Sequence, residues 1–524
     1  MYLKEQNLAF IAKGDNPVYL VPKMANRHGM IAGATGTGKT VTLKVLAEAF
    51  SEMGTPVFLA DIKGDVTGMI KPGDIEGISK RLDKLSVTDF ECKSFPVRFW
   101  DVFGEKGHNV RTTISEMGPD LIARLLELTE VQAGVLTIVF KVADDNGWLL
   151  IDLKDLKAMV KYVSENAKDI REEYGNVSPQ SVGAIQRSLL RLEEAGGDIF
   201  FGEPDLDIHD WLTVNEQGKG YINILECVKL VQSPLLYSTF LLWMLSSIYE
   251  TLPEAGDLDK PKMVFFFDEA HLLFDDAPKA LIAKVEQVVR LIRSKGVGVY
   301  FISQKPADIP ENVLAQLGNK IQHALRAYTP QEQKAVKVAA QSFRVNPNFK
   351  TEDVITELGT GEALVSFLDE EGIPTVVEKA YILPPQSSMS VADDMLVAQA
   401  IKSSPYDVKY ATSVDRESAY EILTEAKKQA DEEKQALEEI KAKEKEEKER
   451  EKALEAERKA QEKAAREREK EIKDVVRKMT GTGTSSRRKQ SVLTKTVNTA
   501  TNTIGREIGK QISRGILGSL KKMF

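Results

Sequence analysis

Eight residues near the amino end of the chain, Gly-Ala-Thr-Gly-Thr-Gly-Lys-Thr at positions 33–40, leave few folds open to it. An apolar run, Met30 to Ala32, precedes them, and a helical pattern, VTLKVLAEAF, follows. Glycines let successive backbone N–H groups curl around an anion, and the amino terminus of the following helix adds a favourable dipole. The order of strand, glycine-rich loop and helix is that of a P-loop, which cradles nucleotide phosphates.

The P-loop pattern GxxxxGK[ST] is met at every required position, and each residue therefore has an expected role. Lys39 is expected to neutralise charge on the β- and γ-phosphates, and the Thr40 hydroxyl is expected to ligate Mg²⁺. The expected cofactors are ATP and Mg²⁺. The predicted nucleotide-binding residues are Gly33, Ala34, Thr35, Gly36, Thr37, Gly38, Lys39, Thr40 and Val41.

A second motif, KMVFFFDEAH at 262–271, completes the predicted site. Its apolar residues predict a buried central strand, and acids at the carboxyl end of such a strand lie where ligands bind in open α/β sheets. Asp268 is expected to hold the Mg²⁺ shell, and Glu269 is placed to polarise the attacking water as a general base. His271 fits either a DEAH box or a core or helix-capping histidine. A third strand ends in Gln304, whose amide is suited to sensing the γ-phosphate.

The alternation of β-branched runs with helical patterns over residues 1–385 predicts an α/β fold with a mostly parallel sheet. We expect a RecA-like P-loop core, an inserted helical subdomain, a long charged helix and a basic amphipathic tail. The expected strands are His28–Gly33, Val57–Asp61, Val97–Asp101, Tyr221–Leu225, Val264–Asp268, Val297–Gln304, Lys320–Arg326 and Ala363–Leu368. The expected domains are 1–103 (first part of the core), 104–220 (helical insert), 221–400 (second part of the core), 401–479 (charged helix) and 480–524 (linker and tail).

Composition narrows the classes of protein further. Cys92 and Cys227 lie outside any CxxC spacing, which argues against a disulfide framework or a zinc knuckle. The longest apolar run, Leu235 to Ile248, is shorter than a bilayer span and predicts a buried core helix. The amino terminus has no signal-peptide pattern, so we expect a cytoplasmic protein.

The carboxyl-terminal third divides into two charged segments. From about Arg416 to Met479 the sequence is nearly all Glu, Lys, Ala, Arg and Gln, with apolar residues too sparse for a continuous coiled-coil seam. Both a solvated single helix and a weakly oligomerising coiled-coil stalk fit this pattern. From Thr480 onward nine basic residues accompany one acid, and Ile504, Ile508, Ile512 and Ile516 recur every four residues. This tail either docks on a membrane surface or a protein partner, or it packs on its own chain or remains disordered.

Taken together, GATGTGKT, Ala60-Asp61-Ile62-Lys63-Gly64-Asp65, FFFDEAH and RLIRSKGVGVYFISQKP resemble the HerA/FtsK superfamily of P-loop ATPases. Over residues 1 to about 400 they look most like the YjgR-type bacterial proteins with a HerA-like C-terminal domain. The resemblance implies a hexameric ring, a homo-oligomer that pumps double-stranded DNA or protein through its pore. Archaeal-type members begin with a small β-barrel domain, whereas about thirty residues precede Gly33 here, so partnership with a nuclease is not expected.

The resemblance also implies roles for four further residues. Asp61 matches an acidic residue that arranges the catalytic centre, and Gln304 matches the sensor amide. Arg293 and Arg326 both stand where the superfamily supplies an arginine to a neighbouring subunit's γ-phosphate, and Arg293 is the favoured candidate. A surface or salt-bridging arginine is the alternative for both.

Two hypotheses of different class follow. The first is a hexameric ATPase that translocates on or remodels double-stranded DNA. The second is an ATP-dependent assembly or signalling scaffold that recruits a protein or membrane partner through its charged helix and tail. The acidic residues 1–479, with 62 Lys and Arg against 78 Asp and Glu, weigh mildly against the first. A kinase or GTPase is disfavoured, since no NKxD-type guanine motif is present and the Asp-Glu pair favours ATP hydrolysis.

Overall fold

The computed structural model describes residues 1–275 and 277–480, with all side chains in that range except those of 469, 473 and 476–480. Over these residues thirteen strands alternate with sixteen α-helices. The strands are β1 (Tyr2–Leu3), β2 (Leu8–Lys13), β3 (Pro17–Leu20), β4 (Gly29–Ala32), β5 (Val57–Asp61), β6 (Val97–Asp101), β7 (His108–Asn109), β8 (Ile222–Glu226), β9 (Met263–Phe267), β10 (Val297–Ser303), β11 (Asn319–Gln322), β12 (Glu362–Ser366) and β13 (Glu378–Ile382).

The helices follow the strands in the alternation expected of an α/β protein. They are α1 (Lys39–Glu52), α2 (Ile75–Leu85), α3 (Ile114–Leu125), α4 (Glu130–Asn146), α5 (Leu153–Glu165), α6 (Ala167–Glu173), α7 (Pro179–Leu192), α8 (Asp198–Phe200), α9 (Pro234–Thr251), α10 (Lys279–Leu291), α11 (Glu311–Leu314), α12 (Pro330–Gln341), α13 (Thr351–Glu357), α14 (Asp394–Ser403), α15 (Pro405–Tyr410) and α16 (Ala419–Thr480).

The strands of the described residues form one mixed sheet in the order β1-β2-β13-β12-β11-β4-β10-β9-β5-β8-β6-β7, with β3 paired to β2. From β11 to β7 all neighbours are parallel. Ala32 pairs with Ser303, and Phe267 pairs with Phe301 and Ala60. The carboxyl ends of β4, β10, β9 and β5 therefore share one edge of the sheet, and the loops that follow them meet there.

An antiparallel extension continues the sheet beyond β11, and of its strands the sequence predicted only β12, at Ala363–Leu368. Strands β12, β13 and β2 add to it in turn, and β1 and β3 both pair with β2. The amino-terminal strands are two to six residues long, and the half-buried run LAFIAK of β2 lacks a clean alternation. The predicted strand at Lys320–Arg326 is also shorter in the structure, because β11 ends at Gln322.

Helices cover both faces of the sheet, which makes the core a three-layer α/β/α arrangement. On one face the apolar side of α1, including Leu46 and Phe50, packs with Phe266 and Ile302. On the other face Phe265 and Phe267 pack with α9 and with the helices between β7 and β8. The mostly parallel sheet and its covering helices confirm the expected fold class.

The helical insert consists of α3 to α8. The long amphipathic stretch in the sequence forms two helices, α3 and α4, because Thr129 and Gln132 make a reciprocal capping box that starts a new helix. Buried residues of this insert, such as Leu136 and Leu156, belong to the same hydrophobic cluster as the sheet residue Phe265. The insert therefore shares its core with the sheet.

The apolar run at 235–248 lies within α9, whose side chains are largely buried, as the sequence predicts. In the part of the chain that the structure describes, no helix is both long and apolar enough to cross a bilayer. Contacts divide the chain into two units, Met1–Gln429 and Ala430–Phe524. The predicted tail at 480–524 lies outside the described residues apart from Thr480.

Candidate functional site

The glycine-rich loop, residues 33–38, is fastened at both ends by neighbouring backbone. It leaves β4 and leads directly into α1, which begins at Lys39. The N–H of Ala34 donates to the carbonyl of Ala324 at 2.8 Å, and the N–H of Gly361 donates to the carbonyl of Thr37 at 2.9 Å. These bonds hold the loop open as a fixed cradle at the amino terminus of α1, where the helix dipole favours an anion.

Two glycines of the loop are required for different reasons. Gly36 has φ +76°, a conformation that residues with a side chain rarely adopt, and no atom lies within 4 Å of where a Cβ would stand. Gly33 instead lies against His323, whose Cβ would be 2.5 Å from an added Cβ. The loop is therefore open on the side that would meet phosphate and tightly packed on the side that meets the sheet.

Lys39 folds back over the loop. Its Nζ donates to the carbonyl of Gly33 at 2.6 Å and to that of Ala34 at 3.2 Å, and the residue is 7% exposed. Burial lowers the pKa of this ammonium below its ordinary value, and the positive charge of Lys63 lowers it further. A cation held in this way is already at the place where phosphate oxygens would enter the cradle.

Asp268 and Glu269 follow β9 and are nearly buried, with side chains 12% and 11% exposed. Burial raises the pKa of Asp268. Burial alone would also raise the pKa of Glu269, but the hydrogen bond and charge of Lys63 outweigh it and leave that pKa below its ordinary value. Glu269 has left-handed backbone angles, φ 46° and ψ 50°, which cost about 1–2 kcal/mol in a residue with a Cβ. An ionised carboxylate on a strained backbone is a feature typical of functional sites.

Lys63 lies between the two acids. Its Nζ is 2.6 Å from Oε1 of Glu269 and 3.6 Å from Oδ2 of Asp268. On its other side, Oε2 of Glu269 is 3.3 Å from Nδ1 of His271. The structure thus places His271 beside the predicted general base, in a half-buried position at the surface of the site.

The loop that carries Lys63 is organised by Asp61. One carboxylate oxygen of Asp61 accepts from the N–H groups of Gly64 (2.7 Å) and Asp65 (3.3 Å), and the other accepts from Val66 (3.3 Å). Burial and the charge of Asp65 raise the pKa of Asp61 to about 6. Asp61 therefore does not face the nucleotide directly; it fixes the loop that does.

Asp65 reaches the P-loop from this same loop. Its Oδ2 accepts from the Thr40 hydroxyl at 3.3 Å, while its Oδ1 is buried without a hydrogen-bond partner. A hydroxyl and hard carboxylate oxygens are the ligands that Mg²⁺ prefers. Among the described residues no group of three or more His, Cys, Asp or Glu is arranged to hold a metal. This donor set suits a P-loop magnesium, which is held by one or two protein groups together with phosphate and water.

His323 packs against the P-loop at Gly33 and contacts Thr42 of α1. Its Nδ1 lies 2.9 Å from the carbonyl of Glu362 and its Nε2 lies 2.7 Å from the hydroxyl of Thr42. A carbonyl only accepts, so Nδ1 carries the proton and the Thr42 hydroxyl donates to Nε2. Burial lowers the pKa of His323 to about 4, which keeps the ring neutral beside Lys39.

A cleft of about 350 Å³ opens beside Ala34 of the P-loop. Ala34, His271, Gln304 and Arg326 line it, together with the exposed ring of Tyr328. Gln304 directly follows β10, the strand between the P-loop strand and the strand of the acids. Arg326 is exposed and donates to the carbonyl of Thr356 at 2.9 Å. Both side chains are thus at the same edge of the sheet as Lys39.

Arg293 lies elsewhere. It belongs to the 3₁₀ turn Ile292–Lys295, which ends just before β10 begins. It is half-buried, and its pKa is lowered by burial and by the nearby charge of Arg27. Because β10 separates Arg293 from Gln304, Arg293 is at the opposite edge of the sheet from the P-loop of its own chain.

Sequence reasoning missed three residues of the site. Lys63 and Asp65 lie in the segment Ala60–Asp65, but the sequence alone assigns them no role. Only the fold shows that the loop after β5 reaches both β9 and α1. A signal was present in ADIKGD, where a lysine and a second acid follow Asp61 within four residues. His323 gave no signal, since its role depends on contact with Gly33 and Thr42.

A parallel sheet with a glycine-rich loop, an acid pair and an amide at the ends of its central strands defines a P-loop NTPase with a RecA-like core. Within that class the chain belongs to the family described as Helicase HerA-like C-terminal, whose model matches residues 6–523. The expected family is therefore confirmed.

Individual relatives are distant. The chain is 24% identical over 356 residues to the DNA double-strand break repair helicase HerA of Sulfurisphaera tokodaii. This alignment covers 65% of this chain and 62% of that protein. It is 24% identical over 354 residues to the protein of the same description from Saccharolobus solfataricus, covering 65% and 61%. The match thus spans about three-fifths of the length of these curated relatives. Among solved structures, the plasmid coupling protein TrwB in complex with GDPNP covers 72% of this chain and 91% of its own, at 15% identity and a TM-score of 0.49.

Proposed function

We propose that this protein hydrolyses ATP and uses the energy as a motor on double-stranded DNA. One observation supports ATP hydrolysis. At the carboxyl ends of the three adjacent parallel strands β4, β10 and β9 lie Lys39, Gln304, Asp268 and Glu269. Each of these residue types supplies a different requirement of phosphoryl transfer to water: charge neutralisation, metal binding, a base and an orienting amide.

The proposed division of labour follows the geometry. The backbone N–H groups around Gly36 and the ammonium of Lys39 bind the phosphates. Glu269, kept ionised by Lys63, accepts a proton from the attacking water, and the amide of Gln304 orients that water or the γ-phosphate. Mg²⁺, which Thr40 and Asp268 would hold together with phosphate and water, would supply charge that neutralises the β- and γ-phosphate oxygens, and Asp65 would orient the Thr40 hydroxyl.

Action on DNA rests on the curated relatives, which are described as DNA-repair helicases. A homo-oligomeric ring, which the superfamily resemblance implies to be hexameric, would let a neighbouring subunit complete the site. Arg293 is at the sheet edge away from its own P-loop, so it is not placed to act on the nucleotide of its own chain. Arg326 lines its own cleft, so we assign it to the chain's own nucleotide and Arg293 to the neighbour's.

The test is an ATPase assay on the purified full chain, with and without duplex DNA, together with its mass by sedimentation. We expect turnover that duplex DNA stimulates, and DNA binding that weakens steeply as salt is raised. Glu269→Gln should lower kcat by about 10²- to 10⁴-fold, the usual contribution of a general base, while ATP still binds. Lys39→Ala should lose nucleotide binding itself.

Lys168→Ala is a matched control, since Lys168 is an exposed cation on α6 and is not a residue of the site. It should leave turnover unchanged. Turnover retained in Glu269→Gln would remove the catalytic assignment. A monomer whose turnover ignores DNA would instead favour the scaffold hypothesis, in which residues 480–524 bind a protein or membrane partner.

A further inference from the structure

The exposed helix α16 carries an apolar pattern with a strict period. Between 430 and 475 its large apolar residues are Leu437, Ile440, Leu454, Ile472 and Val475, and they are 43–62% exposed. Leu437 and Ile472 are 35 residues apart, as are Ile440 and Val475, and Ile440 and Leu454 are 14 apart. All of these separations are multiples of seven, so the five side chains occupy the a and d positions of one heptad register.

Charged residues at the other a and d positions have opposite signs in the two halves of this segment. Glu444, Glu447 and Glu451 occupy the first half, and Arg458 and Arg468 occupy the second. In a parallel pair each of these residues would face its own copy, which places like charges together at five layers of the seam. Like charges at close range are destabilising, so a parallel pair is disfavoured.

An antiparallel pair separates these like charges, because Glu447, Glu451 and Arg458 then face Ala465, Gln461 and Leu454 of the second copy. If Leu437 is set against Val475 of the second copy, Ile440 meets Ile472 of that copy, and both contacts occur twice by symmetry. In this register Glu444 meets Arg468 of the second copy. Apolar groups thus meet apolar groups near both ends of the overlap, and an acid meets a base one layer further in.

The flanking positions agree with this register. Lys448 faces Glu462 of the second copy, and Lys443 faces Glu471 of that copy, each twice. Glu455 and Glu457 face their own counterparts at the two-fold axis, but Glu455 is already paired with Lys459 of its own helix at 2.7 Å. Six opposite-charge contacts therefore stand against two like-charge contacts, one of them partly neutralised.

We propose that residues 437–475 of α16 form an antiparallel two-stranded coiled coil with a second copy of this chain. The overlap is about 58 Å long at 1.5 Å per residue. The direction of pairing is set by charge, because the apolar side chains alone would favour the parallel pair, in which Leu454 faces its own copy. This interface is independent of the nucleotide site.

Disulfide formation in the full chain tests the direction of pairing. Cys92 is replaced by serine, whereas Cys227 is fully buried and stays. Leu437→Cys and Val475→Cys are made singly and together. We expect a covalent dimer with a 437–475 link from the double variant only, because each cysteine faces the other position of the second copy. Dimers from the single variants would show a parallel pair, and absence of dimers from all three would show an isolated helix; either result overturns the proposal.

Charge reversal tests the stated register. Adding Lys443→Glu and Lys448→Glu to the double-cysteine variant should lower the yield of covalent dimer several-fold. Further addition of Glu462→Lys and Glu471→Lys should restore it. Lys452→Glu with Lys463→Glu is the matched control, since these positions point away from the seam and the net charge change is the same. An equal loss in the control would overturn the register.

Discussion

Lys63 shows how one side chain sets the chemistry of another. Its ammonium contacts both acids of the site, and it reaches them because Asp61 fixes the loop on which it stands. Glu269 is the group most affected, since its pKa is lowered against the effect of its own burial. An acid that stays ionised can accept a proton from water over a wider pH range.

Removal of this cation should change the pH dependence of turnover. In Lys63→Met the pKa of Glu269 should rise, so that Glu269 becomes protonated at a higher pH and activity is lost earlier on acidification. The acid limb of the pH–rate profile of kcat should therefore move to higher pH. Lys63→Arg, which keeps the charge, is the control and should leave the limb nearly in place. An acid limb unchanged in Lys63→Met would mean that Lys63 does not tune the base.

At the scale of single elements, the site is built from loops rather than from strands. The strands β4, β5, β9 and β10 end in register, and functional residues of the site lie at or just after the carboxyl end of each strand. The loop after β5 is the least regular of these, since three of its N–H groups bond to one carboxylate instead of to backbone. Its shape therefore depends on Asp61.

Substitution of Asp61 should affect the loop more than the nucleotide cradle. Asp61→Ala leaves three N–H groups without their acceptor, and each unpaired buried donor costs about 1–3 kcal/mol. We expect a lower free energy of unfolding and a fall in kcat that exceeds the change in ATP affinity, since Lys63 and Asp65 lose their positions. Asp61→Asn retains one acceptor oxygen and should have a smaller effect on both. Denaturant unfolding and steady-state kinetics measure the two quantities; equal behaviour of the two variants would contradict this account.

At the scale of the whole molecule, Met1–Gln429 is one compact unit that includes the first turns of α16. The start of that helix is held by Asp155, whose carboxylate accepts from the hydroxyl of Ser418 at 2.5 Å and from the N–H of Tyr420 at 2.9 Å. Arg416 forms a two-pronged ion pair with Glu203 just before it. These contacts attach the first residues of α16 to the rest of the unit Met1–Gln429.

A chain that ends at residue 429 should therefore keep the melting temperature and basal ATPase activity of the full protein. A chain that ends at 414 should melt lower, because the buried carboxylate of Asp155 loses hydrogen bonds worth about 1.5–3 kcal/mol each. Calorimetry of the two truncated proteins beside the full chain measures the difference. Equal melting of all three would show that residues 415–429 add nothing to the unit.

The sequence alone predicted the P-loop core well, because its motifs and apolar strands are local patterns. Val57–Asp61 and Val97–Asp101 have the predicted limits. The antiparallel pairing beyond β11 escaped prediction because β2 pairs with β13, a strand far from it in the chain, and no local pattern records such a contact. The roles of Lys63 and His323 escaped for the same reason, and the roles of Arg293 and Arg326 remain predictions.

The sign change along α16 limits the symmetry of any assembly in which it takes part. In a closed cyclic ring all subunits are related by one rotation axis, so equivalent helices that run along that axis all point the same way. An antiparallel pair of such helices needs a two-fold axis perpendicular to the ring axis, which a single ring lacks. Pairing of this kind would therefore join two rings to each other, or join two chains outside any ring.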